Sequence, residues 1–282
     1  MQLTTVICNY NTRDKLAHAL ESLQHTAGDL AHEIIVVDNA STDGSAALVR
    51  DRFPGVRLIE PGANRWFSGG NNLGLRAAQG TYALILNPDT VILPGALQTL
   101  VAYLDAHPGV GAVTARMIFE DGTLQRNCSR FPGYLDLLLG YTVLGLLLRP
   151  WRERRRRRMW YAGWDRESTR PVEVAPGSCI LARRAVLAQI DYFDERLKLF
   201  FTDDDLCRQI VATGAEIHYV AGATIIHDEH ASLDQVPRLT RHVYFEDLLA
   251  YTRKYNGRLA AAVLAVLLLP MRLMNLKHRH SR

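Results

Sequence analysis

Thr81-Tyr82-Ala83-Leu84-Ile85-Leu86-Asn87-Pro88-Asp89-Thr90 is the stretch that decides the fold. Its apolar half has the length and composition of a buried strand. The strand ends abruptly in an amide, a rigid ring and a carboxylate. In open α/β sheets, ligands bind outside the carboxyl ends of the strands. A carboxylate there is suited to a divalent cation, because hard cations take oxygen ligands and bridge to substrate phosphates. A second reading is a Pro-Asp turn, with Asp89 capping a helix that begins near Pro94. The stretch alone leaves both readings open.

The flanking sequence repeats the pattern. Residues 3–8 are a β-rich run ending at Asn9-Tyr10-Asn11. Residues 13–23 have helical spacing, with Leu16, Leu20 and Leu23 on one face and Thr12 as N-cap. Further strands are predicted over 33–37, ending at Asp38-Asn39, over 56–59 and over 81–86. Ser41-Thr42-Asp43-Gly44-Ser45 is a turn and helix start, and 69–78 a loop running into a helix. Short apolar strands alternating with helices imply right-handed βαβ units and an α/β fold with a mostly parallel central sheet. The strand ends then share one edge, where Asn9, Asn11, Asp38 and Asp89 converge. Downstream, a helix is predicted over 94–106, a strand over 110–117 and a hairpin turn at Asp121-Gly122. Strands follow over 172–175, 179–182, 217–220 and 223–226, with helices over 206–213 and 236–255.

Composition is that of a folded globular chain: 282 residues, 48% hydrophobic and 22% charged, enough for one large domain with an appendage. The net charge of +4 is unevenly spread. Arg152 and Arg154 to Arg158 form one dense run, and Lys277, His278, Arg279, His280 and Arg282 a second cluster. Cys8, Cys128, Cys179 and Cys207 are scattered, which argues against a zinc ribbon or disulfide scaffold and favours a reducing compartment. Met1-Gln2-Leu3-Thr4-Thr5 enters a strand directly, without the features of a signal peptide.

No P-loop, nucleophile elbow or His-Glu-x-x-His zinc helix is present. Gly69-Gly70-Asn71-Asn72-Leu73-Gly74 opens a helix whose backbone N–H groups could face a phosphate; a tight turn with close packing accounts for it equally. Asp203-Asp204-Asp205 stands at a helix start, where the macrodipole favours acidic residues. Capping accounts for one or two of them. Three beside Leu199-Phe200-Phe201 suggest a partly buried carboxylate able to deprotonate an acceptor hydroxyl. His227 ends the strand over 223–226 and precedes Asp228-Glu229-His230, a grouping that could supply an imidazole metal ligand.

Together these residues resemble glycosyltransferase family 2. The resemblance is carried by Val6-Ile7-Cys8-Asn9-Tyr10-Asn11, by residues 34–45, and by Asn64 with the glycine-rich block. It continues through Leu86-Asn87-Pro88-Asp89-Thr90, Pro176-Gly177-Ser178-Cys179, Phe193-Asp194-Glu195, Asp203-Asp204-Asp205-Leu206-Cys207 and residues 227–232. It spans roughly residues 3–232 and is nearest the bacterial rhamnosyltransferase-like subgroup. It implies a GT-A fold, a nucleoside-diphosphate sugar donor (dTDP- or UDP-sugar), Mg²⁺ or Mn²⁺ as cofactor, and inversion at the anomeric carbon. By position, the donor site would be Asn9, Asn11, Asp38, Asn64, Gly69, Gly70, Asn71 and Asn87, with Asp38 at the nucleobase and Asn87 near the ribose. Asp89 and His227 would hold the metal, Asp203 would be the catalytic base, and Asp205 would orient the loop or acceptor. Thr202 stands where the family often has Glu; a slip of one would make Asp204 the base. Pro176 departs from the commoner pattern and is expected to reshape the acceptor pocket.

The resemblance divides the chain into a catalytic domain over 1–232 and a helical, membrane-associating region over 233–282. The donor half covers about 1–117, the acceptor half about 172–232, and an apolar and basic insertion lies at about 131–160. Apolar stretches at 135–148 and 259–271 are shorter than the about 20 residues that span a bilayer. Beside basic clusters they suggest peripheral, monotopic attachment at the cytoplasmic face of the inner membrane, suited to a glycan or lipid-linked acceptor. No stacking platform accompanies the arginines, which argues against nucleic acid. A nucleotidyltransferase and a non-catalytic module on a transferase-like fold are the alternatives.

Overall fold

The computed structural model describes residues 1–228 and 237–270. Four strands, β1 (Leu3–Asn9), β2 (His32–Asp38), β3 (Arg57–Ile59) and β4 (Tyr82–Leu86), form a parallel half-sheet. Side chains of β4 alternate between two cores: Tyr82, Leu84 and Leu86 enter one, Ala83 and Ile85 the other. Both faces are covered, so the strand reads as a continuous apolar run rather than an alternation. The second half adds β5 (Thr90–Ile92), β6 (Val110–Ile118), β7 (Arg170–Pro171), β8 (Cys179–Arg183) and β9 (Glu216–His227). The sheet order is β3-β2-β1-β4-β8-β6-β9-β5, with β7 also on β9. Here β8 runs antiparallel to β4 and β6, and β5 antiparallel to β9, so the sheet is mixed but parallel from β1 to β4.

Helices α1 (Arg13–Thr26), α2 (Ser45–Arg52) and α4 (Ala96–Ala106) pack on one face. Between them in sequence, α3 (Trp66–Ala77) covers the other face. The insertion supplies α5 (Tyr134–Tyr141), α6 (Leu144–Leu147) and α7 (Arg149–Met159). After them come α8 (Arg184–Gln189) and α9 (Thr202–Ala212), which join α3, and α10 (Pro237–Leu267), which bends at Gly257. A third, smaller core lies between α5 and α10, where Leu137 meets Phe201, Leu248, Tyr251 and Leu264.

Several expectations change. Thr12 stands at the N-cap of α1, but its hydroxyl makes no capping bond and donates instead to Asn9 Oδ1 at 2.6 Å. The glycine-rich block lies inside α3, which begins at Trp66, so the N–H groups of Gly69 and Gly70 do not form a helix start. The glycines serve close packing: a Cβ on Gly70 would lie 2.3 Å from Cys8 Sγ, and one on Gly74 2.3 Å from Val6. Residues 172–175 are no strand, only a single bridge from Val174 to Ser129. The two strands predicted over 217–226 are one, β9, with a register shift against β6. The apolar 135–148 stretch breaks into α5 and α6, and the arginine run is α7. The turn at Asp121-Gly122 forms, with Phe119 N–H donating to Thr123. His230 and the 271–282 basic cluster lie outside the described residues.

Candidate active site

The parallel register of β1 and β2 sets Asn9 beside Asp38. Asn9 Nδ2 donates to Asp38 Oδ1 at 3.0 Å and to Ser41 Oγ at 3.1 Å. The other Asp38 oxygen accepts the Ser41 N–H at 3.2 Å. Asn11 takes a left-handed backbone, which small amide residues tolerate, and its Oδ1 accepts the Thr42 N–H at 2.7 Å. Asn64 Oδ1 accepts the Trp66 N–H at 2.7 Å at the entry to α3. Asn39 joins β2 to that entry, donating to Trp66 O and accepting from Arg65 N–H. Asn71 donates back to Phe67 O, while its neighbour Asn72 binds Phe193 and Glu195. Gly69 faces Glu195. Asn9, Asn11, Asp38, Asn64 and the α3 start therefore form one connected corner at the end of the parallel strands.

Asn87 to Thr90 is a tight turn, closed by the Thr90 N–H on Asn87 O at 3.2 Å. The turn forms and delivers Asp89, but Asp89 caps no helix, because β5 follows it and α4 begins after Gly95. Strand β5 starts at once and pairs Thr90 with His227. The Asp228 N–H then donates to Asp89 O at 3.1 Å. This brings Asp89 Oδ1 to 3.6 Å from His227 Nε2, with both residues under a tenth exposed. That is longer than a hydrogen bond. His227 Nδ1 lies 3.0 Å from Gln125 Oε1. An amide oxygen only accepts, so Nδ1 carries the proton and Nε2 presents a lone pair toward Asp89. One carboxylate oxygen and one imidazole nitrogen in a dry corner suit a divalent cation, with its remaining positions open to substrate phosphate and water. Among the described residues, no group of three His, Cys, Asp or Glu forms a complete protein cage. Asp228 itself pairs with Lys15.

The three aspartates at the start of α9 diverge. Asp203 Oδ2 accepts the Gly177 N–H at 3.3 Å, and Asp203 Oδ1 the Asp204 N–H at 3.1 Å. Asp203 and Asp204 line a cavity of about 600 Å³ that also reaches His227, Gln125 and Ser178. Burial pushes the Asp203 carboxyl above the usual carboxylate range. It pushes Asp204 further, with the charge of Asp203 adding and Arg208 opposing. Asp205 does not line this cavity. It is 1% exposed and accepts from Lys254 Nζ and Tyr255 OH, both at 2.6 Å, and from Gln209 at 2.8 Å. Its side chain fastens α10 to α9.

The loop before α9 is clamped from two sides. Lys198 O accepts the Phe67 and Ser68 N–H groups of α3. Fully buried Asp247 of α10 accepts the N–H groups of Lys198, Leu199 and Phe200 at 2.8–3.0 Å. Phe201 follows at φ 58°, stacked on Tyr251, and this unusual backbone turns the chain into α9. The Pro176–Ser178 segment ties the two carboxylate regions together: Ser178 O accepts the Asn87 N–H at 3.1 Å, and Gly177 reaches Asp203.

The family model for glycosyl transferase family 2 matches residues 4–191, which include the Asn9–Asp38 corner and the Asp89 turn. The chain belongs to glycosyl transferase family 2. It is 29% identical over 252 residues to an N-acetylglucosaminyl-diphospho-decaprenol L-rhamnosyltransferase of Mycobacterium tuberculosis, covering 83% of this chain and 78% of that one. It is 24% identical over 235 residues to the rhamnosyltransferase WbbL of Escherichia coli, covering 80% and 83%. Among solved structures, the mannosyltransferase PcManGT from Pyrobaculum calidifontis, in complex with GDP-Man and Mn²⁺, superposes with a TM-score of 0.58 at 18% identity. That match covers 94% of this chain and 79% of the other. S. aureus TarS 1-349 with UDP-GlcNAc gives 0.59 at 18% identity, covering 95% and 70%. These similarities establish the GT-A fold, and the family 2 chain is a glycosyltransferase similar to the rhamnosyltransferases. The nucleotidyltransferase and non-catalytic readings are not favoured.

The family motifs did not reveal three features of this glycosyltransferase. Gln125, which orients His227, lies 102 residues from it in sequence and has no motif of its own. Asp247 sits in a helix otherwise notable for aromatic residues. The arginines of α7 that line the cavity were legible as charge, but not as a face.

Proposed function

We propose that this glycosyltransferase moves a sugar, rhamnose, from a dTDP- or UDP-sugar to a hydroxyl of a lipid-linked glycan, with inversion, in bacterial cell-surface polysaccharide synthesis. The single observation that carries the reading is that Asp203 and His227, the latter facing Asp89, open onto one cavity. The rhamnosyl donor and lipid-linked acceptor are supported by the names of the two relatives. In the transfer, the acceptor oxygen bonds to the anomeric carbon as the bond to the diphosphate breaks. Asp203 takes the hydroxyl proton, and the nucleoside diphosphate leaves with the electron pair. Burial suits Asp203 to this work, since a raised carboxyl is a stronger base. Asp89 and His227 would hold the cation, which neutralises charge on the leaving group. Asn9, Asn11, Asp38, Asn64, Gly69, Gly70, Asn71 and Asn87 would line or shape the donor site. Asp205 would act on the loop through α10. The enzyme would work at the cytoplasmic face of the plasma membrane, in peripheral contact.

The test is a panel of sugar nucleotides with a sugar–diphospho–lipid acceptor, scored by nucleoside diphosphate released. dTDP-rhamnose is expected to give the highest turnover. Folded Asp203→Asn and Asp89→Asn variants should each lose at least about 100-fold in kcat. Wild-type rates in either variant would overturn the assignment.

A further inference from the structure

The cavity shared by Asp203 and His227 has a second chemical character. The insertion contributes Arg152, Arg155 and Arg156 of α7 to its lining, and the segment after β6 contributes Arg126. Positions 152, 155 and 156 share one helix face, since residues three and four apart are neighbours. The remaining arginines of the run lie elsewhere: Arg157 and Arg158 line a separate shallow depression, and Arg154 is exposed. The run is therefore sorted, and only part of it faces the active site.

These inward arginines are unequally compensated. Arg155 makes a bidentate pair with Asp136 at 2.6 and 2.9 Å. Arg152 meets Glu153 at 3.1 Å. Arg126 and Arg156 have no carboxylate partner among the described residues. A further donor points the same way: Gln125 is 3% exposed, lines the cavity, and its Nε2 has no partner among the described residues. The cavity thus combines a base for a hydroxyl with uncompensated donors for an anion. It does not include Asn9, Asp38 or Asn64 of the donor corner. Guanidinium groups match phosphate oxygens in geometry and charge.

We infer that Arg126 and Arg156, with Gln125, bind the diphosphate of the acceptor, so that this enzyme recognises a sugar–diphospho–lipid by its anion as well as its sugar. The inference rests on the lipid-linked acceptor reading above and names which part of that acceptor is held, and by what. Apolar Leu137 and Leu139 line the same cavity, and Leu146 and Leu147 of α6 are exposed beside it in sequence. An amphiphile with an anionic waist would satisfy both surfaces.

The donor also carries a diphosphate, so the experiment separates the two sources. The full chain and the Arg126→Gln/Arg156→Gln double variant are assayed with a sugar–diphospho–lipid and with a neutral alkyl glycoside of the same sugar and chain length. Both arginines are exposed and lack carboxylate partners among the described residues, so their loss should leave the fold intact. KM for the diphospho acceptor should rise about 100-fold, roughly tenfold for each charge-assisted contact. The rise with the neutral glycoside should stay under about twofold, and the donor Kd from calorimetry should not move. Arg154→Gln, which removes an exposed charge from the same helix, is the control and should change none of these. Equal loss on both acceptors, an unchanged KM, or a weakened donor Kd would each overturn the inference. If the wild-type chain uses neither acceptor, the acceptor reading itself fails, and the inference falls with it.

Discussion

Asp203 and Asp204 are adjacent carboxylates in a half-buried position, and burial raises both. Two carboxylates so close do not titrate independently, and Asp204 ionises against the charge of Asp203. The consequence for stability has a definite sign. A buried acid with a raised folded-state pKa binds its proton more tightly in the folded chain. Stability therefore falls as pH rises from the ordinary carboxylate range through the folded value, and at neutral pH the charge is a cost. Asp204→Asn removes that cost. Its melting temperature should rise at pH 7, and the gain should vanish in acid. In the same variant, the acid limb of the kcat profile should stay in place, because Asp203 ionises while Asp204 still holds its proton. Unchanged stability would mean that Asp204 does not share the site electrostatically. Asp205 presents the opposite case, since Lys254 and Tyr255 satisfy it and its loss should cost stability first.

At the scale of elements, two short pieces do most to build the site. Strand β5 has three residues, too few for a periodic signal, yet its pairing with β9 is what sets Asp89 against His227. The alternation of strands and helices was legible because each long element carries its own period, and the strand-end carboxylates followed from it. The pairing was not legible, because it depends on contacts between segments far apart in the chain. The same holds for the loop before α9. Sequence marks Asp203 as acidic at a helix start; the clamp from Asp247 comes from α10, 47–49 residues later. Three backbone N–H groups would lose their acceptor in Asp247→Ala, and each buried orphan costs about 1–3 kcal/mol, offset where water enters. A destabilisation of about 3 kcal/mol is expected by urea unfolding. Because the loop sets the position of Asp203, kcat should fall about 100-fold while the donor Kd stays within twofold. A loss of stability with kcat preserved would show that the clamp holds α10 and nothing more.

For the whole molecule, the question is how it would meet the lipid-linked acceptor proposed above. Among the described residues, no helix is long and apolar enough to cross a membrane. Exposed apolar side chains nevertheless gather on two neighbouring elements. Leu146, Leu147 and Trp151 of the α6–α7 segment are 66–78% exposed. Leu259, Val263 and Val266 of α10 and Leu269 just past it are exposed, while Leu264 and Leu268 are buried. Helix α5 joins the two groups, since its Tyr134 hydroxyl donates to Ala260 O of α10 at 2.9 Å and its chain runs into α6. The arginines of α7 that turn from the cavity follow directly. Apolar side chains beside cationic ones suit the interface of an anionic bilayer, where each Leu buried contributes about 1.5–3 kcal/mol and each Arg about 1 kcal/mol near the surface. The chain should therefore sediment with anionic vesicles at low salt and much less with neutral ones. Leu146→Ser/Leu147→Ser should lower partitioning at least about tenfold, without changing kcat on a detergent-dispersed acceptor. High salt should release the protein in part, because only the arginine contribution is screened. If the wild-type chain stays in the supernatant with anionic vesicles at low salt, these side chains do not form a membrane contact, and the lipid-linked acceptor must reach the cavity from a soluble carrier.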